Sequence, residues 1–227
     1  LAHHLNNLGG VYHRMGRLEE AEPILIENLE MNQRMFAAEP HGSLSRAYMN
    51  LASLYADLGR NVESVRLMEE GYPVSVAALG AEHPRTALHL AATALARQRV
   101  GDSQGASEAI QTAYSVTLER GGAGDRTHER VVFFRGRIRM FQGDPGPALE
   151  DLNRWLAWNE EKFAEPHHSI AEARYWLGEA HLVEARPDLA TPLLESSFEM
   201  YAGIFGPEHF GAERARESLA RARREAP

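Results

Sequence analysis

"NNLGGVYHRMGRLEEAEPIL" (residues 6–25) and "MNLASLYADLGRNVESVRLM" (49–68) carry one pattern twice. In each, a very small residue (Gly9, Ala52) stands seven positions before a Gly-polar pair, Gly16-Arg17 or Gly59-Arg60. Five positions after that glycine comes another small residue (Ala21, Ser64), and four later a large apolar one (Leu25, Met68). The pattern returns at Gly101-Asp102 and Gly143-Asp144, and at Ala185-Arg186 with Ala in place of Gly. Its leading small positions are then Ala94, Gly136 and Gly178, its trailing ones Ala106, Ala148 and Ala190, and its large ones Ile110, Leu152 and Leu194. Small residues at two fixed places let two antiparallel helices approach closely, and the large residue fills the space beyond. One period of about 42 residues is therefore a helix–turn–helix pair, the Gly ending the first helix and the polar residue starting the second.

Local signals sharpen the boundaries. Asp144-Pro145 reads as a capped helix start. Pro23 and Pro192 fall about two turns into second helices, and Pro73 falls deeper, where a kink is expected. His41, His83, His167 and His209 recur at the period's interval beside Pro40, Pro84, Pro166 and Pro207, with Asp125 breaking the series. Helices pack about 8–10 Å apart, so histidines of successive repeats cannot share one metal ion. They read as capping or packing residues of the turn between repeats. The pairs His3-His4 and His167-His168 read as surface.

Leu8-Gly9, Tyr12, Gly16 and Ala21, echoed by Leu51-Ala52, Tyr55, Gly59 and Ser64, resemble the tetratricopeptide repeat. The longer period, with "LGAEHPRTA" (79–87) and "FGPEHFGAE" (205–213) between units, is similar to the kinesin-light-chain-like subgroup. The resemblance covers essentially the whole chain. It implies an all-α, right-handed superhelical solenoid of five helix–turn–helix repeats, at about residues 2–42, 43–85, 86–127, 128–169 and 170–211. A capping helix at 212–225 completes a single domain over 1–227, its Leu219-Ala220 on the buried side and charge elsewhere. Leu5 and Leu8 open a repeat with no cap before them, so further repeats or another domain are expected upstream.

Repeats 3 and 4 depart from the pattern, with Thr93 and Arg97, then Arg135 and Arg139, where Leu and Tyr are expected. Two readings stand. The helices rotate and the arginines snorkel outward, as the shifted apolar set Val131, Phe134, Ile138 and Phe141 allows. Alternatively, the arginines belong to a ligand site.

Composition bounds the chemistry. The 227 residues carry a net charge of −8, from 24 Lys+Arg against 32 Asp+Glu, and only Lys162 is a lysine. Such a balance does not fit broad binding to nucleic acid. No apolar run approaches the roughly 18 residues of a membrane helix. The absence of cysteine excludes disulfides, thiol catalysis and thiolate-bound metals, and is compatible with a reducing, cytoplasmic setting. No GxSxG, P-loop, GxGxxG or HExxH motif occurs, and "GGAGD" (121–125) follows no strand. Catalytic residues, metal ligands and cofactors are therefore not expected. No residue pattern supports a homo-oligomer.

In the resembled family the first helix of each pair lines a concave face that holds extended peptides. Carried over by repeat position, the candidates are Asn6, Asn7, Arg14, Met49, Asn50, Ser53, Asp57, Arg99, Phe133, Phe134, Arg137, Tyr175 and Trp176. The resemblance makes Asn7 and Asn50 a clamp, since an amide offers both donor and acceptor to a peptide backbone. Phe133, Phe134, Tyr175 and Trp176 read either as pockets for apolar side chains or as core. Trp155 and Trp158 read as packing residues.

The expected function is thus a non-catalytic scaffold binding a peptide segment of a partner protein. The Ala/Arg-rich composition resembles bacterial members that serve as recruitment regions of signalling proteins such as serine/threonine kinases. The alternative is a sensor domain of a transcription regulator, closing on a small signal or on its own N-terminal domain.

Overall fold

Each Gly-polar pair closes a helix by the same backbone bond, in which the polar residue's N–H reaches back five residues. Arg17 donates to the Tyr12 carbonyl, Arg60 to Tyr55, Asp102 to Arg97, Asp144 to Arg139 and Arg186 to His181, all at 2.8–3.0 Å. This closure needs a left-handed residue just before the donor. Gly16, Gly59, Gly101 and Gly143 supply it with φ of 76–91°. Ala185 adopts φ 55° in the fifth repeat, where a Cβ carries a steric cost. Ala185→Gly is therefore expected to stabilise the protein by about 0.5–1 kcal/mol, since relief of strain exceeds the added freedom of the unfolded chain. A urea midpoint that does not rise would show the turn to be unstrained.

The computed structural model describes residues 1–225, and among these the chain forms eleven α-helices and no strand. They are α1 (Ala2–Arg14), α2 (Leu18–Met35), α3 (Gly42–Asp57), α4 (Asn61–Leu79), α5 (Pro84–Arg99), α6 (Ser103–Gly121), α7 (Arg126–Phe141), α8 (Pro145–Lys162), α9 (His168–Val183), α10 (Pro187–Phe205) and α11 (Phe210–Glu225). Pro23, Pro73 and Pro192 lie inside unbroken helices. Asp144 precedes α8 without a side-chain cap bond, whereas Asp102 caps α6 by accepting from the Gly105 N–H.

The recurring histidines start the first helices. Nδ1 of His41, His83, His167 and His209 accepts the N–H two residues on, at 3.0–3.2 Å. Asp125 does the same for Thr127 and His128, which explains why an Asp interrupts the series: both side chains satisfy orphan donors of a first helical turn. Three of the imidazoles also stack on the aromatic ring that ends the preceding helix, Phe36 on His41, Phe163 on His167 and Phe205 on His209, at 4.0–4.6 Å.

The chain divides into two compact units, Leu1–Val131 and Val132–Pro227, with α7 straddling the division. In the first, the pairs α1/α2, α3/α4 and α5/α6 stack through α2 on α3 and α4 on α5, while α1 meets α3 and α3 meets α5. The first helices thus share one face. Pairs close tightly where the small residues stand: a Cβ on Gly9 would lie 2.6 Å from Leu25 Cδ2. Arg60 ties two pairs together, lying 3.9 Å over the Tyr55 ring and bonding Glu22 at 2.6 Å as well as Glu63.

In the second unit α8, α9, α10 and α11 pack in succession, and Gly178 gives the same close approach to Leu194. α11 buries Ala212, Ala215, Leu219 and Ala222. Ala220, expected on the buried side, is exposed: the equivalent position in a first helix is covered by its own second helix, and no described helix lies there.

Candidate peptide-binding faces

On the first-unit face, α1 and α3 place Asn6 and Asn50 together, with Asn50 Nδ2 donating to Asn6 Oδ1 at 2.8 Å. Asn6 reaches Asn7 Oδ1 at 3.5 Å, and Asn7 Nδ2 lies 3.1 Å from His3 Nε2. Asn50 thus meets Asn6, and exposed Asn7, expected with Asn50 to clamp a peptide backbone, stands beside the pair. A relay of this kind leaves Asn50 Oδ1 and the outward amide hydrogens for a ligand. Ser53 and Arg14 are exposed on the same helices, Met49 and Arg99 half-buried. Asp57 is joined to His13, Nε2 to Oδ2 at 2.8 Å. His13 was not among the expected site residues, although its place on α1, one turn from Gly9 and two from Asn6 along the helix, was readable from the spacing.

In the second unit the expected aromatics are packed. Phe133, Phe134, Tyr175 and Trp176 retain 2–9% of their exposure. Phe133 stacks on Trp155 at 5.3 Å, and Trp155 on Trp158 at 5.4 Å. Two guanidinium groups cover the remaining ring faces: Arg137 stands 4.1 Å over Trp176, and Arg214 stands 4.5 Å over Tyr175. A planar, weakly hydrated cation seals an aromatic surface at little desolvation cost. Arg137 also lies 3.9 Å from Glu172. Burial raises the pKa of the Tyr175 phenol, so it stays neutral. Phe141 remains 46% exposed, edge-on to Trp176 at 5.8 Å.

Arg135 and Arg139 neither snorkel outward nor open onto a ligand site. Arg135 grips Asp151 of α8 with two parallel bonds of 2.9 and 2.6 Å, and Arg139 adds a third at 2.8 Å. Asp151 is 4% exposed and takes a place where the other repeats carry Ile24, Leu67, Ala109 and Leu193. A buried carboxylate between two cations replaces the usual apolar contact between the helices of one pair.

Among the described residues no group of three His, Asp or Glu side chains is placed to hold a metal, and no helix is long and apolar enough to cross a membrane.

Two tetratricopeptide repeat models match, at residues 1–41 and 43–119, together just over half the chain. The chain belongs to the tetratricopeptide repeat family. Such repeats generally mediate protein–protein interactions and typically serve as non-catalytic scaffolds. Among solved structures, the chain is similar to a kinesin light chain-like protein of Podosopora anserina with nearly identical TPR-like repeats. That match has 21% identity and a TM-score of 0.58, over 88% of this chain and 95% of that one. BtubC (BKLC) from P. vanneervenii matches at 18% identity and a TM-score of 0.59, over 89% and 80%. The Cut9–Hcn1 hetero-tetramer of the APC/C matches at 14% identity and a TM-score of 0.60, over 97% of this chain and 42% of that one. At these identities the likeness is one of fold. No curated protein matches the chain significantly.

Proposed function

We propose that this tetratricopeptide array is a recruitment module that captures an extended segment of a partner protein on its first-helix faces. The observation that carries the reading is the Asn6–Asn50 amide relay across α1 and α3, partly open to solvent and flanked by exposed Asn7 and Ser53. Amides placed this way bond a peptide backbone whatever its side chains, since each offers donor and acceptor together. In the second unit, Phe141 at the rim of the arginine-covered rings supplies an apolar contact. The setting we assign, from the Ala/Arg-rich composition alone, is a bacterial signalling protein such as a serine/threonine kinase, with this segment recruiting substrate or regulator.

Capture from native lysate tests the reading, with the chain and an Asn6→Ala/Asn50→Ala variant as baits. A partner retained by the first and held at least tenfold more weakly by the second is expected, as two lost hydrogen bonds of about 1 kcal/mol each predict. Equal retention by both baits would move the site off the amide relay. Absence of any partner would favour a sensor that closes on a small signal or on its own N-terminal domain.

A further inference from the structure

Beside the amide relay, α1, the C-terminal half of α2 and the start of α3 enclose a cleft of about 220 Å³. Asn28 and Asn32 line it, together with His3, Asn6, Phe36 and Arg46. The two α2 asparagines are 1% and 2% exposed, one helical turn apart. Asn32 Nδ2 donates both to the Asn28 backbone carbonyl, at 2.8 Å, and to Asn28 Oδ1, at 2.9 Å. A backbone carbonyl only accepts, so these bonds settle which way each amide points. What remains is one donor, Asn28 Nδ2, and one acceptor, Asn32 Oδ1, both buried and without a protein partner. Buried polar groups are normally satisfied, and leaving one unpaired costs about 1–3 kcal/mol.

Asn159 holds the place of Asn32 in repeat 4 and likewise bonds the carbonyl one turn back, at 2.7 Å, with its Oδ1 unpaired. What differs in repeat 1 is the second asparagine beside it. Ser75 and Thr117 occupy the place of Asn32 in repeats 2 and 3. They bond across to the next repeat, Ser75 to Thr86 at 3.3 Å and Thr117 to His128 at 3.0 Å. Leu44 holds the place of Thr86 and His128 in the next repeat, and its side chain cannot form such a bond. Asn28 in turn corresponds to Gly71 and Ala113, which carry no polar side chain. The polar pair therefore serves no contact between repeats.

We infer that this cleft is a subsite for a carboxamide side chain, that of glutamine or asparagine, carried by a peptide lying across the Asn6–Asn50 relay. The inference rests on the groove reading, because Asn6 and His3 belong to both. The chemistry selects the occupant. A carboxamide carries a donor for Asn32 Oδ1 and an acceptor for Asn28 Nδ2 on two separate atoms. A carboxylate has no donor, an ammonium has no acceptor, and an apolar chain leaves both asparagines unpaired. A volume of several waters, at about 30 Å³ each, accommodates one such side chain.

The probe is N-acetylglutamine N-methylamide, with its glutamate, methionine and threonine counterparts, titrated while the asparagine side-chain amide signals are followed by NMR. The glutamine probe is expected to shift the Asn28 and Asn32 signals, with the other three binding at least tenfold more weakly. Asn28→Ala and Asn32→Thr, which copy Ala113 and Thr117 of repeat 3, are expected to lose the response. Equal binding of any other probe, or no shift up to the solubility limit, overturns the subsite. The selectivity series on the unaltered chain decides this even if a variant fails to fold. Lysate capture that still depends on Asn6 and Asn50 while the cleft ignores carboxamides overturns the subsite alone. Selective carboxamide binding without such capture overturns the groove reading instead.

Discussion

Asp151→Ala is expected to lower the stability of the second unit by about 3–5 kcal/mol, the usual cost of stranding buried charge. Asp151 holds Arg135 through two bonds and Arg139 through one, and it is 4% exposed. Without it, Arg135, 14% exposed, loses both of these bonds to α8, while Arg139, 31% exposed, keeps only the Pro147 carbonyl there. Asp151→Asn should be nearly as harmful, because the amide keeps the volume but cannot neutralise either cation. The triple variant Asp151→Leu/Arg135→Met/Arg139→Met is the informative control. An apolar replacement of a whole buried ion cluster is often neutral or stabilising, so the triple is expected to recover most of the loss. Urea unfolding followed by far-UV circular dichroism checks all three. A single variant within 1 kcal/mol of the parent would show that water reaches Arg135 and Arg139 readily, and that Asp151 is dispensable.

Acid should unlock the first unit at His89. This imidazole is fully buried between three helices. Nε2 donates to the Met68 carbonyl at 3.0 Å, so Nδ1 accepts from the Ser45 hydroxyl at 2.9 Å. Gly71 makes the room, since a Cβ there would come within 2.8 Å of His89 Cε1. Burial pushes the His89 pKa down to about 4 from its ordinary 6.5, partly opposed by the bond to Met68. The folded state thus binds fewer protons than the unfolded state between these values. Stability from this residue is complete above pH 6.5, falls as the pH drops towards 4, and levels off below. The loss by pH 4 amounts to about 3 kcal/mol. Other groups also titrate near the lower end of that window, so the test is the difference from His89→Gln, which keeps a hydrogen-bonding side chain but cannot titrate. Urea midpoints between pH 7.5 and 4 should fall more steeply in the parent than in the variant. Parallel slopes would mean that His89 is protonated with little penalty, and so is less enclosed than its contacts imply.

These two sites mark where sequence reading stops. Gly16, Gly59, Gly101 and Gly143 announced the helix ends because the left-handed turn they make is a property of a few adjacent residues. The signal held even at Ala185, where the wrong residue still adopts the right backbone. The histidine series was legible for the same reason: each ring caps an N–H two residues away. Leu25 and Leu194 against Gly9 and Gly178 followed from spacing alone, since a helix pair joined by a short turn has one register.

The partners of Arg135, Asp57 and Trp176 were not legible in that way. Arg135 finds Asp151 on another helix, Asp57 finds His13 one repeat back, and Trp176 is covered by Arg137 of α7. Arg135 meets Asp151 at the register that pairs Gly9 with Leu25, but no other repeat carries a charge at either place to announce the pair. Nothing near Asp57 or Trp176 in sequence names its partner. The aromatic cluster shows the consequence, since rings that suited a binding pocket by position are closed by guanidinium groups from two other helices. Period, helix ends and the small-to-large fit of each pair are determined by the sequence alone, because each depends on residues within one turn or one hairpin. Which charges are neutralised, which amides meet, and which rings stay open were decided only by tertiary packing, because those outcomes depend on the side chains that other helices, of the same repeat or another, bring against them.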